Sequence, residues 1–178
     1  MKTLIVLGTT REGRNTVKPA KAVLEEFEEQ GHETTFFDLK EKEIPMLGNR
    51  TYVDDEEPVP EDIEDFAEEV QESDLIVLVA PEYNHSVPGA LKNTLDYLFP
   101  EYNGKAFSYV TVSAGGFGGI RALDHLQDIT LGLGGHPGPN LPISNVSTNF
   151  EDEQPTEEYQ EKIKNFVGKT ENFVEKIN

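Results

Sequence analysis

The stretch DLIVLVAPEYNHSVPGALKNTLDYL, residues 74–98, decides how the rest of the chain is read. Leu75 to Ala80 is an unbroken apolar run, the mark of a strand covered on both faces. Pro81 stops it, and Pro88, a favoured residue at a helix start, opens a helical segment from Gly89 to Phe99. Between the two prolines stand Glu82, Tyr83, Asn84, His85 and Ser86: an acid, a phenol, an amide, an imidazole and a hydroxyl. A buried strand that ends in such a cluster and leads into a helix is half of a β-α-β unit with chemistry at its tip.

The same rhythm runs outward in both directions. Thr3 to Gly8 is a first apolar strand, and Val17 to Gln30 a helix with Val17, Ala20, Val23, Leu24 and Phe27 on one side. Gly31 stops that helix, and HETTFFDL supplies the second strand. Residues 40–60 carry three prolines and mixed charges and read as a long loop on the substrate side. Glu61 to Glu72 forms the next helix, with Ile63, Phe66, Ala67 and Val70 as its buried stripe. Ala106 to Gly115 is the fourth strand, Phe117 to Leu133 the helix after it, and PNLPISNV a short fifth strand weakened by proline. Thr156 to Ile177 closes the chain as an amphipathic helix. Five strands alternating with helices predict one α/β domain over residues 1–178, a doubly wound parallel sheet with helices on both faces.

Composition narrows the function classes. With no cysteine, disulfides, zinc–thiolate sites and thiol catalysis are excluded, and a cytoplasmic location is expected. Acidic residues number 34 against 15 basic, a net charge of −19, which argues against nucleic acid or an anionic membrane as partner. The run MKTLIVLG is too short for a signal peptide, and no stretch approaches the roughly 18 apolar residues of a membrane span.

In doubly wound sheets ligands sit beyond the carboxyl ends of the strands, where the strand order reverses. Three loops meet that condition. The first, GTTREGRNT (Gly8 to Thr16), combines hydroxyls, an amide and Arg11 and Arg14, two of only four arginines, just before a helix start. Free N–H groups and the dipole at a helix start favour phosphate, and arginine adds bidentate contacts, so the loop reads as a phosphate site in preference to a plain capped turn. It fits neither the Walker A nor the dinucleotide glycine pattern, which points to a mononucleotide. The second loop is Pro81 to Ser86, suited to holding a planar ring; His85 reads as a partly exposed loop histidine before it reads as a catalytic acid. The third, SAGGFGGIRA (Ser113 to Ala122), lets backbone approach a flat ligand at its glycines, and Arg121 is placed to meet a second phosphate or a nearby acid.

Taken together these elements resemble the NADPH-dependent FMN reductase family. GTTREGRNT resembles that family's phosphate loop, with Thr9 where serine is commoner. PEYNHSVPGALKNTLDYL is similar to its long second signature, and VSAGGFGGIRA to its glycine-rich third element, the match running from Lys2 to about Val146. The resemblance implies a flavodoxin-like fold of strand order 2-1-3-4-5, FMN bound without a covalent link, and a homodimer or homotetramer. It implies that Thr9, Arg11, Asn15 and Thr16 hold the FMN phosphate, with Arg14 joining them or standing at the mouth to meet NADPH or NADH. Pro81, Glu82, Tyr83 and Asn84 would line the ring and ribityl chain, flanked by His85 and Ser86. Ser113, Gly115, Gly116 and Gly118 would approach from the other edge, and Gly89 to Leu98 would join a dimer surface. No metal and no catalytic side chain are expected, because the flavin carries hydride from NAD(P)H to a quinone, azo compound, free flavin or metal ion. The rival reading is a flavodoxin-like electron carrier without NAD(P)H turnover, which the acidity suits and the two arginines oppose.

Overall fold

The computed structural model describes residues 1–50, 58–151 and 154–177. Five strands, β1 (Lys2–Leu7), β2 (Glu33–Asp38), β3 (Leu75–Pro81), β4 (Ala106–Val112) and β5 (His136–Ile143), form one all-parallel sheet in the order 2-1-3-4-5. The helices are α1 (Val17–Glu29), α2 (Glu61–Glu72), α3 (Gly89–Asp96), α4 (Ile120–Gly132), α5 (Val146–Asn149) and α6 (Glu157–Ile177). This is the flavodoxin-like architecture.

Alternation along each strand divides the core into two layers. Leu4, Val6, Ile76 and Leu78 pack with α2, α3 and α4 through Phe66, Leu91, Leu95 and Leu126. Ile5, Leu7, Val77 and Val79 pack on the other side with α1 and α6 through Val23, Phe27, Ile163 and Phe166. Leu75 to Ala80 are all fully buried, as a central strand with both faces covered must be. Burial of each such aliphatic side chain stabilises the fold by about 1.5–3 kcal/mol.

The edges of the sheet depart from the expected bounds for local reasons. β5 starts at His136, three residues before the expected Pro139, and ends at Ile143. Its prolines are tolerated because it is an edge strand bonded to β4 alone. A register shift between Phe107 and Tyr109 absorbs the irregularity. Gly138 sits at that shift, where a Cβ would lie 2.5 Å from the Phe173 ring of α6 and 2.6 Å from the Phe107 carbonyl oxygen. The end of the expected strand instead turns at Asn145 (φ 46°) into α5, a helical turn that the sequence pattern did not suggest. α4 begins at Ile120 and not at Phe117, since Gly118 and Gly119 both adopt positive φ (65° and 77°). α3 ends at Asp96, ahead of Pro100, which disfavours helical backbone at the residue before it. In the 40–60 loop a short 3-10 turn spans Leu39–Glu41 and no regular element follows to residue 50; residues 51–57 lie outside the described set. Among the described residues no helix is long and apolar enough to cross a membrane.

Candidate functional site

Because β1, β3 and β4 are adjacent and parallel, the loops that follow them emerge side by side at one edge of the sheet. β1 hands over to the first loop at Gly8, whose N–H donates to the Val79 carbonyl (2.8 Å). A Cβ there would come within 2.7 Å of Leu91 Cδ2, so only glycine lets this strand end pass the first turn of α3. Thr9 is fully buried, and its hydroxyl meets the Tyr83 hydroxyl at 2.7 Å. That contact ties the first loop to the second.

Beyond Thr9 the loop turns outward. Among the described residues the N–H groups of Thr10, Gly13, Asn15 and Thr16 find no acceptor. Thr16 stands at the start of α1 with its side chain capping nothing. Arg11 is exposed and its guanidinium has no partner among the described residues. Unclaimed amides, a helix start and an unclaimed cation form a cradle for an anion. Glu12, the acid of this loop, is held by Lys40 at 2.8 Å, and that hydrogen bond lowers its carboxyl below the usual range.

Arg14, expected at the phosphate or at the mouth, is placed against the chain itself. Its guanidinium is turned inward, donating from Nη1 to the Thr9 carbonyl and from Nη2 to the Asp38 carboxylate at the end of β2. The two side chains are 9% and 15% exposed. Arg14 is a brace that fixes the loop to the neighbouring strand.

The second loop is a tight reversal. Tyr83 and Ser86 exchange backbone hydrogen bonds of 2.9 and 3.0 Å, and the residues between them, Asn84 and His85, both lie at positive φ (49° and 64°). This is the geometry of a type I′ turn, here without glycine. With Asn145 these are the three positive-φ residues other than glycine among those described, and all three sit at this edge of the sheet. Backbone held in sparsely populated conformations clusters where a fold serves a ligand. Glu82 anchors the base of the turn: its N–H donates to the Val112 carbonyl (3.2 Å), and its carboxylate accepts the N–H of Arg121 (3.2 Å) in the first turn of α4. The Arg121 guanidinium (3.8 Å) and His85 Nδ1 (3.3 Å) lie on the other oxygen. Of the two partners foreseen for Arg121, the acid is the one observed.

In the third loop Ser113 and Gly118 are joined by internal hydrogen bonds. The Ser113 hydroxyl accepts from Gly118 N–H (2.9 Å) and donates to the Gly115 carbonyl (2.8 Å). Gly118 is buried, and a Cβ there would lie 2.7 Å from that of Pro142. Close packing against β5, in addition to its φ, demands glycine at this position. The exposed edge is therefore Gly115, Gly116 and Phe117, the last 77% exposed. The expected dimer segment also divides: Leu91, Thr94, Leu95, Tyr97 and Leu98 are buried in the chain's own core, which leaves Gly89, Ala90, Lys92, Asn93 and Asp96 nearer the surface.

Three partners at this edge escaped the sequence reading. Asp38 holds Arg14, His125 of α4 meets the Ser86 hydroxyl through Nδ1 at 2.8 Å, and Asn93 clamps the 40–50 loop. The Asn93 amide donates to the Pro45 carbonyl (2.7 Å) and accepts from Leu47 N–H (2.9 Å). Only helical spacing hinted at His125, one turn beyond Arg121. A cleft of about 460 Å³ between α1 and α6 lies apart from these loops; Glu25, Glu26, Glu29 and Glu161 line it, which suits no phosphate.

Comparison with known proteins gives the family and the fold. The NADPH-dependent FMN reductase family profile matches residues 1–166, and the chain belongs to that family. An NAD(P)H-dependent FMN reductase of Saccharomyces cerevisiae is 33% identical over 150 residues, 75% of each chain. A quinone reductase of Escherichia coli is 42% identical over 85 residues, 46% of this chain and 45% of the relative. Among solved structures, the flavoenzyme NAD(P)H:(acceptor) oxidoreductase FerB from Paracoccus denitrificans superposes with a TM-score of 0.79 at 23% identity, covering 98% and 97% of the two chains.

Proposed function

We propose that the chain is an FMN-dependent NAD(P)H oxidoreductase that reduces a small-molecule acceptor such as a quinone, azo compound, free flavin or metal ion. Membership of the FMN reductase family supports the reaction class. The single structural observation that supports the cofactor site is the Thr9–Tyr83 hydroxyl contact, which joins the loop proposed for the phosphate to the turn proposed for the ring.

FMN fits the residues present. Arg11, the side chain of Asn15 and the unclaimed amides of the first loop would take its phosphate, with Thr16 at the helix start. Thr9 would act through Tyr83, since its own hydroxyl is buried in that contact. Pro81, Glu82, Tyr83 and Asn84 would border the ring on one side, and Gly115 and Gly116 on the other. Bound FMN supplies two-electron chemistry, accepting hydride from a reduced nicotinamide and passing it to the acceptor. The chain's part is to orient the ring, neutralise the phosphate and keep its own acids occupied: Glu12 by Lys40, Asp38 by Arg14, Glu82 by the start of α4. A homodimer or larger assembly is part of the proposal, and the exposed Phe117 and Ile120 at the site's rim are apolar surface for it.

Titration of the purified protein with FMN, followed by anaerobic mixing with NADPH and NADH, tests the reading. Saturable binding and bleaching of the flavin absorbance by either nucleotide are expected. Binding without bleaching would instead favour an electron carrier, and no binding would defeat both.

A further inference from the structure

Reduction of a quinone needs more than hydride: the acceptor gains a hydride at one oxygen and must gain a proton at the other. Of the four histidines, His32 and His136 lie at the amino-terminal end of the sheet, beside the starts of β2 and β5. His85 and His125 lie at the carboxyl end with the three loops. His85 faces the Glu82 carboxylate from a 70% exposed position on the turn. His125 is different, because its exposed ring reaches the turn through a hydroxyl, Ser86 Oγ, at 2.8 Å. Ser86 is in turn fixed by its paired backbone bonds to Tyr83, the residue pinned to Thr9. An imidazole in contact with solvent, a hydroxyl, and a turn that borders the ring site make a two-step path for a proton.

We propose that Ser86 and His125 form a proton relay to the reduced acceptor, an inference that rests on the oxidoreductase reading above. Hydride transfer to a quinone oxygen forms one O–H bond, takes the electron pair from the bound cofactor and leaves a phenolate at the opposite oxygen. The phenolate takes the proton of the Ser86 hydroxyl, and Ser86 takes one from Nδ1 of the His125 imidazolium. The neutral ring then regains a proton from solvent, so that quinone, hydride and one proton give hydroquinone. Ser86 is the group that meets the acceptor and His125 supplies it from behind. Arg121, Asp124 and Asp128 are the charged residues near His125 on its own helix, and Glu82 and His85 stand on the turn that it meets through Ser86.

The test compares two acceptors on FMN-loaded protein reduced beforehand with NADPH. Benzoquinone requires a delivered proton, whereas ferricyanide takes single electrons and requires none, so the ratio of their reoxidation rates isolates the relay. For His125→Gln the benzoquinone-to-ferricyanide ratio should fall about 100- to 10,000-fold at pH 7, the ordinary scale of general acid catalysis. Ser86→Ala should do the same. Added imidazole should restore part of the lost ratio in His125→Gln, which a merely misplaced turn would not allow. A readout independent of turnover is the His125 ring resonance in the oxidised protein, whose chemical shift should change in Ser86→Ala as the 2.8 Å contact is lost. A ratio unchanged in both variants would overturn the relay, as would equal loss with both acceptors, the sign of mere misplacement of the turn. Failure of the wild type to bind FMN or to be reduced by NADPH would instead overturn the oxidoreductase reading, and the relay with it.

Discussion

Arg11 and Arg14 stand three residues apart in one loop, one exposed and the other paired with Asp38; the proposal gives them different duties, and substituting each in turn separates them. Arg14 is 9% exposed and bonded to an Asp38 carboxylate that is 15% exposed. Truncation to alanine would strand that carboxylate and free the Thr9 carbonyl. Removing one partner of a buried ion pair costs about 3–5 kcal/mol; with both groups reached by some water, we expect about 2–4 kcal/mol. For a chain of this size that corresponds to a Tm lowered by roughly 5–15 °C. Replacing the pair together, Arg14→Leu with Asp38→Leu, should recover part of the loss, because no uncompensated charge remains. Arg11→Ala removes an exposed guanidinium with no partner in the chain, so Tm should stay within about 1 °C. Its effect should fall on FMN: loss of a charged hydrogen bond of about 1.5–3 kcal/mol raises the Kd about 10- to 150-fold. Thermal denaturation without FMN and flavin fluorescence titration read the two quantities separately. The reasoning is refuted if Arg14→Ala weakens FMN binding while leaving Tm unchanged, for Arg14 would then be the phosphate ligand and Asp38 a bystander.

The third loop offers a similar contrast between glycines. Gly118→Ala must adopt φ 65° and bring a Cβ to 2.7 Å from that of Pro142, for which strain and overpacking together cost about 2–4 kcal/mol, read by urea denaturation. Gly116→Ala meets nothing within 4 Å; stability should hold within about 0.5 kcal/mol while FMN affinity drops, and unchanged affinity would remove Gly116 from the ring site. The pH dependence of stability should report the pair that ties the 40–50 loop to α2. A hydrogen bond from Lys42 and the Glu43 N–H lower the Asp62 carboxyl, and the bond to Asp62 raises Lys42. The Asp62 contribution is therefore fully present above 3.8 and lost as pH falls through its depressed folded value, while that of Lys42 is present below 10.5 and lost above its raised folded value. Asp62→Asn should cost about 1 kcal/mol at pH 7, and its unfolding midpoint should converge on the wild type's below pH 3.8; a gap that persists in acid would show that the charge is not the cause.

What was legible in the sequence is what short-range patterns determine. The bounds of α2, Glu61 to Glu72, follow from a stripe of four apolar residues between a proline and a polar break. β3 follows from an apolar run that no half-exposed element would tolerate. Topology then places three loops at one edge, so the location of the candidate site followed as soon as the order of elements was known. β5 was not, because its prolines argue against a strand until its place at the edge of the sheet is known.

The partners of individual side chains were legible least of all, for a reason Arg14 makes plain. Its bond to Asp38 spans 24 residues and the Ser86–His125 contact spans 39; neither exists until β2 lies beside β1 and α4 packs against the turn. A phosphate loop signature fixes residue types, but the choice between ligand and partner falls to whatever the fold brings alongside. On a chain with net charge −19 that choice is constrained. Carboxylates left loose at this edge would repel a phosphate, so Glu12, Asp38 and Glu82 must each be occupied by a donor of the chain itself. With Arg14 paired to Asp38, Arg11 is the arginine of this loop that the proposal assigns to an anion: one would cancel the resident charge and the other would receive the incoming one.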